Sequence, residues 1–212
     1  MVKQDGAPPA SALLMGWNNI PIRAEKSLFD LAMTCREHPG LVEYLLHTHT
    51  GQIAAQLKSD QPPAGVEAQD WSKLQGRFTS HLEQFGHIIF QMDFTENLPL
   101  DHPEPMLENI KMYLRGEGVN PHERQQASET RRIQTAQAAL SRLKGLRRWA
   151  FTKALNWAQS LSEVREDALA DIGLGYPILR VLLRQLGSRF VDAGVIQQPE
   201  DIFWLEKDEI NA

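Results

Sequence analysis

Apolar residues recur every three to four positions along most of the chain, which is the spacing of a helix that buries one face. The pattern is clearest after Asp70, which can cap a helix, and it stops at Gly86. The apolar face of this predicted helix consists of Trp71, Leu74, Phe78, Leu82 and Phe85. Earlier helices are predicted from Ala24 to Arg36 and from Pro39 through Leu57, where His49 falls on the apolar stripe as a core histidine.

The second half of the chain predicts longer helices. A helix over residues 106–115 is followed by Asn120-Pro121-His122-Glu123, a helix start with a capping asparagine, a first-turn proline and a glutamate that can reach back. This helix is predicted to run to Lys144, a second follows, and a third begins after Gly175. Their predicted apolar faces are Ile133, Ala136, Leu140 and Leu143; Ala154, Trp157, Leu161 and Val164; and Leu179, Leu182, Leu183, Leu186 and Phe190. Helices of about 20 residues span about 30 Å and bury such faces against one another, so we predict an all-α, multi-helix bundle of long antiparallel helices.

One segment departs from the helical period. Apolar and polar residues alternate from His87 to Phe94, although Ile89 interrupts the pattern, and we predict one short extended segment near 87–94. At the start of the chain, residues 1–12 contain prolines and a glycine without an apolar stretch and are predicted to form a flexible tail. Residues 13–212 are then predicted to form one helical domain.

Composition and charge exclude several classes of function. A chain of 212 residues that is 42% hydrophobic and 23% charged belongs with ordinary globular proteins. Its net charge of −5, with no basic block along a whole helix, argues against nucleic-acid binding. No stretch approaches the ~18 apolar residues of a membrane span, so we expect no membrane partner and a cytoplasmic location. Cys35 is the only cysteine, which excludes an internal disulfide or a cysteine-based zinc site.

The common site motifs are missing from the sequence. There is no glycine-rich phosphate loop, no Gly-x-Ser-x-Gly and no His-Glu-x-x-His, and none of the seven histidines forms an i, i+4 pair. We therefore predict neither a metal site nor a catalytic residue within this chain. Two polar clusters are candidates for a binding site: His87 and Asp93, in a strongly apolar segment, and Arg165-Glu166 on a late helix. Buried polar groups of this kind mark either a hydrogen-bonded network or a site.

Four pieces of the chain, in order, resemble one region of the phosphoenolpyruvate synthase and rifampin phosphotransferase family. They are Ile20-Pro21-Ile22-Arg23-Ala24-Glu25-Lys26 with Leu31-Ala32, Phe85-Gly86-His87 with Met92-Asp93-Phe94, Arg165-Glu166, and the stretch from Leu186-Gly187 through Pro199-Glu200-Asp201-Ile202-Phe203-Trp204-Leu205 to Glu209-Ile210. The resemblance extends over roughly residues 13–212. Members of the family join an ATP-grasp domain, a helical substrate domain and a mobile domain with a phosphorylated histidine.

The resemblance implies that this chain is the substrate-binding helical domain of an ATP-dependent phosphotransferase and is not catalytic alone. ATP and Mg would serve the complete enzyme, with no cofactor in this chain. Its partners would be the ATP-grasp and phosphohistidine domains, in cis or as separate subunits, and a small-molecule substrate. The implied substrate-binding residues are His87, Asp93, Arg165 and Glu166.

Two positions depart from the family pattern. Ile88 stands where an arginine is expected after Gly-His, and Gln91 stands where a glutamate is expected before Asp93. Losing a bidentate donor and a carboxylate changes which anionic or polar group could be held there, so either the substrate differs or the site has moved. The many Trp, Phe and Met residues would suit a bulky substrate. A non-enzymatic helical interaction module and a small-molecule sensor are the alternatives.

Overall fold

The computed structural model describes residues 9–59, 61–88 and 97–210. Those residues form ten α-helices and two 3-10 helices, with no strand among them, which confirms the all-α prediction. The helices are α1 (Ser11–Leu14), α2 (Ile20–Cys35), α3 (Pro39–His47), α4 (Thr50–Leu57), α5 (Ala68–Phe85), α6 (Glu104–Arg115), α7 (Pro121–Ser141), α8 (Gly145–Ile172), α9 (Tyr176–Asp192) and α10 (Lys207–Ile210), and the 3-10 helices are Gly173–Gly175 and Pro199–Trp204. Across the described ranges, none of these helices combines the length and apolarity needed to cross a bilayer.

Two predicted segments are described only in part. His87 and Ile88 form a turn and irregular backbone after α5, and the rest of the extended segment predicted near 87–94 lies outside the described residues. Residues 1–8 of the predicted tail also lie outside them, and α1 already begins at Ser11.

A single large hydrophobic core holds α2 to α6 together. In α5 the predicted face is the buried face, and it includes the large side chains of Trp71 and Phe78. In α2 the buried residues recur at helical spacing, from Leu28 to Cys35. Asn19 caps α2 by accepting a hydrogen bond from the amide of Ile22 at 3.3 Å. The buried face of α5 is therefore the one that its apolar pattern predicts, although the helix begins at Ala68 and Asp70, predicted as its cap, lies within its first turn.

The helix predicted from Pro39 through Leu57 is instead two helices. The chain becomes extended at Thr48, and His49 caps α4 because its Nδ1 accepts a hydrogen bond from the amide of Gly51 at 3.2 Å. His49 is exposed, so its prediction as a core histidine is wrong. The carbonyl of Thr48, released by the break, accepts a hydrogen bond from the buried Lys111 ammonium at 3.0 Å. The break thus gives a buried cation a partner.

The helices α8 and α9 expose many of their large apolar side chains. The inward side of α8 carries the buried Leu155 and two polar residues: Gln159 and Ser162 donate to the carbonyls of Leu13 and Leu14, at 2.9 and 3.0 Å. The prediction that their apolar faces are buried is wrong for Trp157, Leu161, Val164, Leu179 and Leu182, which are all exposed. The N-terminal segment presents backbone carbonyls to α8, and these require hydrogen-bond donors rather than leucines.

Candidate functional site

A cavity of about 900 Å³ lies between α2, the end of α5, the loop over residues 97–103 (the 97–103 loop) and α6. Its lining is largely apolar with a few polar groups, as in pockets that bind small molecules. The lining residues are Pro21, Ala24, Glu25, Leu28, His81, Phe85, Ile88, Asn97, Pro99, His102, Glu104, Pro105, Met106, Asn109 and Tyr113.

A close approach of the 97–103 loop to the end of α5 shapes one wall of this cavity. The amide of Leu100 donates to the carbonyl of Gly86 at 3.1 Å. A Cβ atom added to Gly86 would clash with the backbone carbonyl of Leu82 and would also come within 3.2 Å of the Leu100 Cβ, so little space is left for a larger residue at this helix end. Beyond Gly86, Ile88 is 6% exposed and continues the apolar wall.

The polar part of the cavity centres on Glu25 and Tyr113, which come from helices far apart in sequence. The Tyr113 hydroxyl donates to Glu25 Oε1 at 3.1 Å, and Arg124 of α7 forms an ion pair with the same carboxylate. Burial, followed by the negative charge and the hydrogen bond of Glu25, raises the pKa of Tyr113 to about 12. Tyr113 is therefore a neutral phenol near pH 7 in the cavity wall, with an oxygen that can accept a hydrogen bond from a ligand.

His81 forms part of the wall and is 2% exposed. Its Nδ1 lies 3.0 Å from the Ser27 hydroxyl, and its ring lies between those of Phe78 and Phe85, with centroids 6.4 and 5.2 Å away. Burial lowers the pKa of His81 to about 4. A neutral imidazole at this position keeps the apolar wall uncharged near pH 7.

On the other side of His81, a shallower depression of about 580 Å³ lies between α2 and α5, and we call it the polar groove. Arg23, Lys26, Arg77 and Asp30 contribute its charges, and His122 Nε2 lies 2.8 Å from Asp30 Oδ1. The groove is mixed in charge and open to solvent. Within the described part of the chain, no three His, Cys, Asp or Glu side chains are grouped so that they could hold a metal ion.

The predicted site residues that the structure describes do not line the cavity. His87 is half-buried next to Ile88, and Arg165 is exposed on α8; neither belongs to the described lining. Asp93 and the side chain of Glu166 lie outside what the structure describes. The role of all four as substrate contacts stays a prediction.

Sequence reasoning missed Glu25, His81 and Tyr113. His81 carried a usable signal, because it lies between Phe78 and Phe85 on the apolar face of α5. Glu25 and Tyr113 carried none, since they are 88 residues apart and only the fold joins them.

Fold and cavity together define an all-α domain with a largely apolar hollow at the junction of α2, α5 and α6. Residues 1–166 match the family described as the rifampicin phosphotransferase fourth domain, and the chain belongs to this family. It is similar to a rifampicin phosphotransferase from Streptomyces sviceus, with 25% identity over 203 residues that cover 91% of this chain. The chain spans only 22% of that relative's length. The family resemblance inferred from the sequence is thereby confirmed.

Proposed function

We propose that this chain is a substrate-binding domain of an ATP-dependent phosphotransferase, and that its cavity receives a bulky, largely apolar molecule of the rifamycin type. The observation that carries the proposal is the cavity itself, because about 900 Å³ of mostly apolar space suits a large drug-like ligand far better than a small anion. Membership of the rifampicin phosphotransferase family supports the same class of substrate.

The departure at Ile88 supports an apolar ligand. Ile88 stands where the family resemblance leads us to expect an arginine, and it forms part of the cavity wall. An apolar side chain there removes a donor for carboxylate or phosphate and adds apolar contact area. Tyr113 and Glu25 can then orient a ligand through its hydroxyl groups, since one offers a phenol and the other a carboxylate.

The phosphate donor belongs, in this proposal, to other domains of the complete enzyme. Those domains would be an ATP-grasp domain and a phosphohistidine domain, with ATP and Mg as co-reactants. The described residues contain no group of three acidic, histidine or cysteine side chains arranged to hold an ion. In this proposal the role of the chain is to hold the substrate.

Titration of rifampicin into the chain, followed by calorimetry and by thermal melting, tests the proposal. We expect a dissociation constant in the micromolar range or tighter and a higher melting temperature with ligand. Ala24→Trp fills the cavity from α2 and should weaken binding at least tenfold. Ala127→Trp, at an exposed position of α7, is the matched control and should bind like the wild type. No binding by the wild type, or equal loss in both variants, would contradict the proposal.

The exposed side of α8 favours a second candidate function, a module that docks onto another protein or domain. Trp149, Trp157, Leu161 and Val164 all lie on its surface, and exposed apolar residues of this size are typical of contact surfaces. The same titration separates the two candidates. A docking module without a ligand would show no thermal shift, whereas a substrate-binding domain keeps its shift when Trp157 is replaced by glutamine.

A further inference from the structure

A buried arginine connects α9 to the loop that forms one wall of the cavity. The side chain of Arg180 is 2% exposed, and burying a guanidinium is costly unless it is paired. Its Nε donates to Asp101 Oδ2 at 3.3 Å, and its Nη2 donates to Asn97 Oδ1 at 3.3 Å. Its guanidinium carbon also lies 5.2 Å from the centroid of the Phe203 ring. Arg180 therefore contacts the 97–103 loop at two of its residues.

Asp101 connects the 97–103 loop to α9 and, through Arg184, to the second 3-10 helix. Its Oδ1 lies 3.7 Å from Arg184 Nη1, one turn further along α9, and Arg184 Nε lies 3.6 Å from Glu200 of the second 3-10 helix. The carboxylate of Asp101 thus faces two arginines of α9. A carboxylate held by two guanidinium groups is fixed in position more firmly than one held by a single flexible cation.

Fixing Asp101 also fixes the cavity wall, because Asp101 lies within a tight turn. The amides of Asp101 and His102 both donate to the carbonyl of Leu98 at 2.9 Å. Asn97, Pro99 and His102 of this turn line the cavity. A displacement of Asp101 would therefore move the residues that contact a ligand.

We propose that Arg180 is a positioning residue for the cavity: from α9 it holds the 97–103 loop in place and so sets the affinity for the ligand. The statement about affinity rests on the proposed function; the statement about the loop does not. Helix α9 lies beyond residues 1–166, the part of the chain that matches the family domain. One wall of the cavity is thus supported by an element outside that domain.

The test compares Arg180→Lys and Asp101→Asn with Arg189→Lys, all in the full chain. Arg180→Lys keeps the charge and loses the planar fork that reaches two partners, and Asp101→Asn keeps the shape and loses the charge. Arg189, exposed in the last turn of α9, is the matched control. Hydrogen exchange of the Leu100, Asp101 and His102 amides reports on the loop, and calorimetry with rifampicin reports on the cavity.

We expect at least tenfold faster exchange at these three amides in Arg180→Lys and Asp101→Asn, with the amides of α2 and α5 unchanged. Rifampicin affinity should fall at least tenfold in the same two variants and stay at the wild-type value in Arg189→Lys. Unchanged loop exchange would overturn the role of Arg180 whatever the ligand does. Faster loop exchange with undiminished affinity would overturn its effect on binding. Faster loop exchange in a chain whose wild type binds no rifampicin would reject the proposed function and retain the loop contact.

Discussion

In the N-terminal core, α2 to α6 bury most of their large apolar side chains, whereas α8 and α9 expose many of theirs. Trp71 of α5 is 1% exposed and Trp157 of α8 is 70% exposed, although both fall on apolar stripes of the same helical period. The inward contacts of α8 include hydrogen bonds from Gln159 and Ser162, and those of α9 include Arg180 and Gly187. The spacing of apolar residues thus shows which of them share a face of a helix. Whether that face is buried depends on whether another part of the protein packs against it.

This difference has an energetic consequence. Full burial of a large apolar side chain stabilises a fold by about 1.5–3 kcal/mol, whereas a typical hydrogen bond contributes a net 1 kcal/mol or so. The core of α2 to α6 contains sixteen mutually packed buried residues and therefore supplies most of the stability of the chain. We expect α8 and α9 to open first when the protein unfolds locally.

The largest predicted effect is the difference in unfolding free energy between alanine substitutions of Trp71 and Trp157. Trp71→Ala removes a fully buried side chain and should lower the free energy of unfolding by about 3–5 kcal/mol. Trp157→Ala removes an exposed side chain and should change it by less than about 0.5 kcal/mol. Urea denaturation followed by circular dichroism measures both. Equal losses for the two variants would mean that the face of α8 is covered in solution.

The N-terminal core is where the sequence predicted most. The face of α5, the end of that helix at Gly86 and the capping of α7 by Asn120 were all predicted, because short-range signals fix them. The break at Thr48 was not predicted, and the hydrogen bond that its carbonyl accepts comes from Lys111, 63 residues away, which no local pattern reveals. The outward faces of α8 and α9 were not predicted either, because periodicity does not reveal what lies opposite.

The candidate site could be predicted only at its edge. Phe85 and Ile88 line the cavity and belong to the segment that the sequence analysis singled out. The pairing of Glu25 with Tyr113 and that of Arg180 with Asp101 join residues 88 and 79 positions apart, so no local pattern encodes them. The four residues predicted from the family resemblance await a direct test of substrate contact.

A second prediction concerns the pH dependence of the core. Burial lowers the pKa of His81 from 6.5 to about 4, so the unfolded chain takes up a proton at a pH where the folded chain does not. The stability that depends on a neutral His81 is fully present above pH 6.5 and is lost as the pH falls toward 4. This loss lowers the free energy of unfolding by about 3 kcal/mol. His81→Phe should flatten this part of the pH profile. His47→Gln, at an exposed histidine, should leave the profile as it is in the wild type.

The pH measurement gives the size of the pH dependence and shows which histidine causes it. Unfolding free energies at several pH values between 4 and 7 give the slope for each variant. A slope that survives in His81→Phe would mean that other groups, such as surface carboxylates, cause it. A flat slope in His47→Gln would place the proton uptake outside the core and remove this distinction between the two regions.

The smallest predicted effect is a loss of stability on α9 that is larger for a substituted glycine than for a truncated leucine. A Cβ atom at Gly187 would overlap the carbonyl oxygen of Pro199, a backbone atom that cannot move aside as a flexible side chain can. Gly187→Ala should therefore separate α9 from the second 3-10 helix and cost about 1–2 kcal/mol, after a gain of about 1 kcal/mol in helix propensity. Leu182→Ala, on the exposed side of the same helix, should cost less than about 0.5 kcal/mol.

Hydrogen exchange of the α9 amides measures this pair without requiring global unfolding. Gly187→Ala should speed the exchange of α9 about tenfold and leave α5 unchanged, because a loss of 1.4 kcal/mol in local stability corresponds to a factor of ten. A larger effect from Leu182→Ala than from Gly187→Ala would mean that the exposed leucines of α9 pack against something in solution. The contrast between a buried-apolar core and C-terminal helices held by small and polar contacts would then fail at α9.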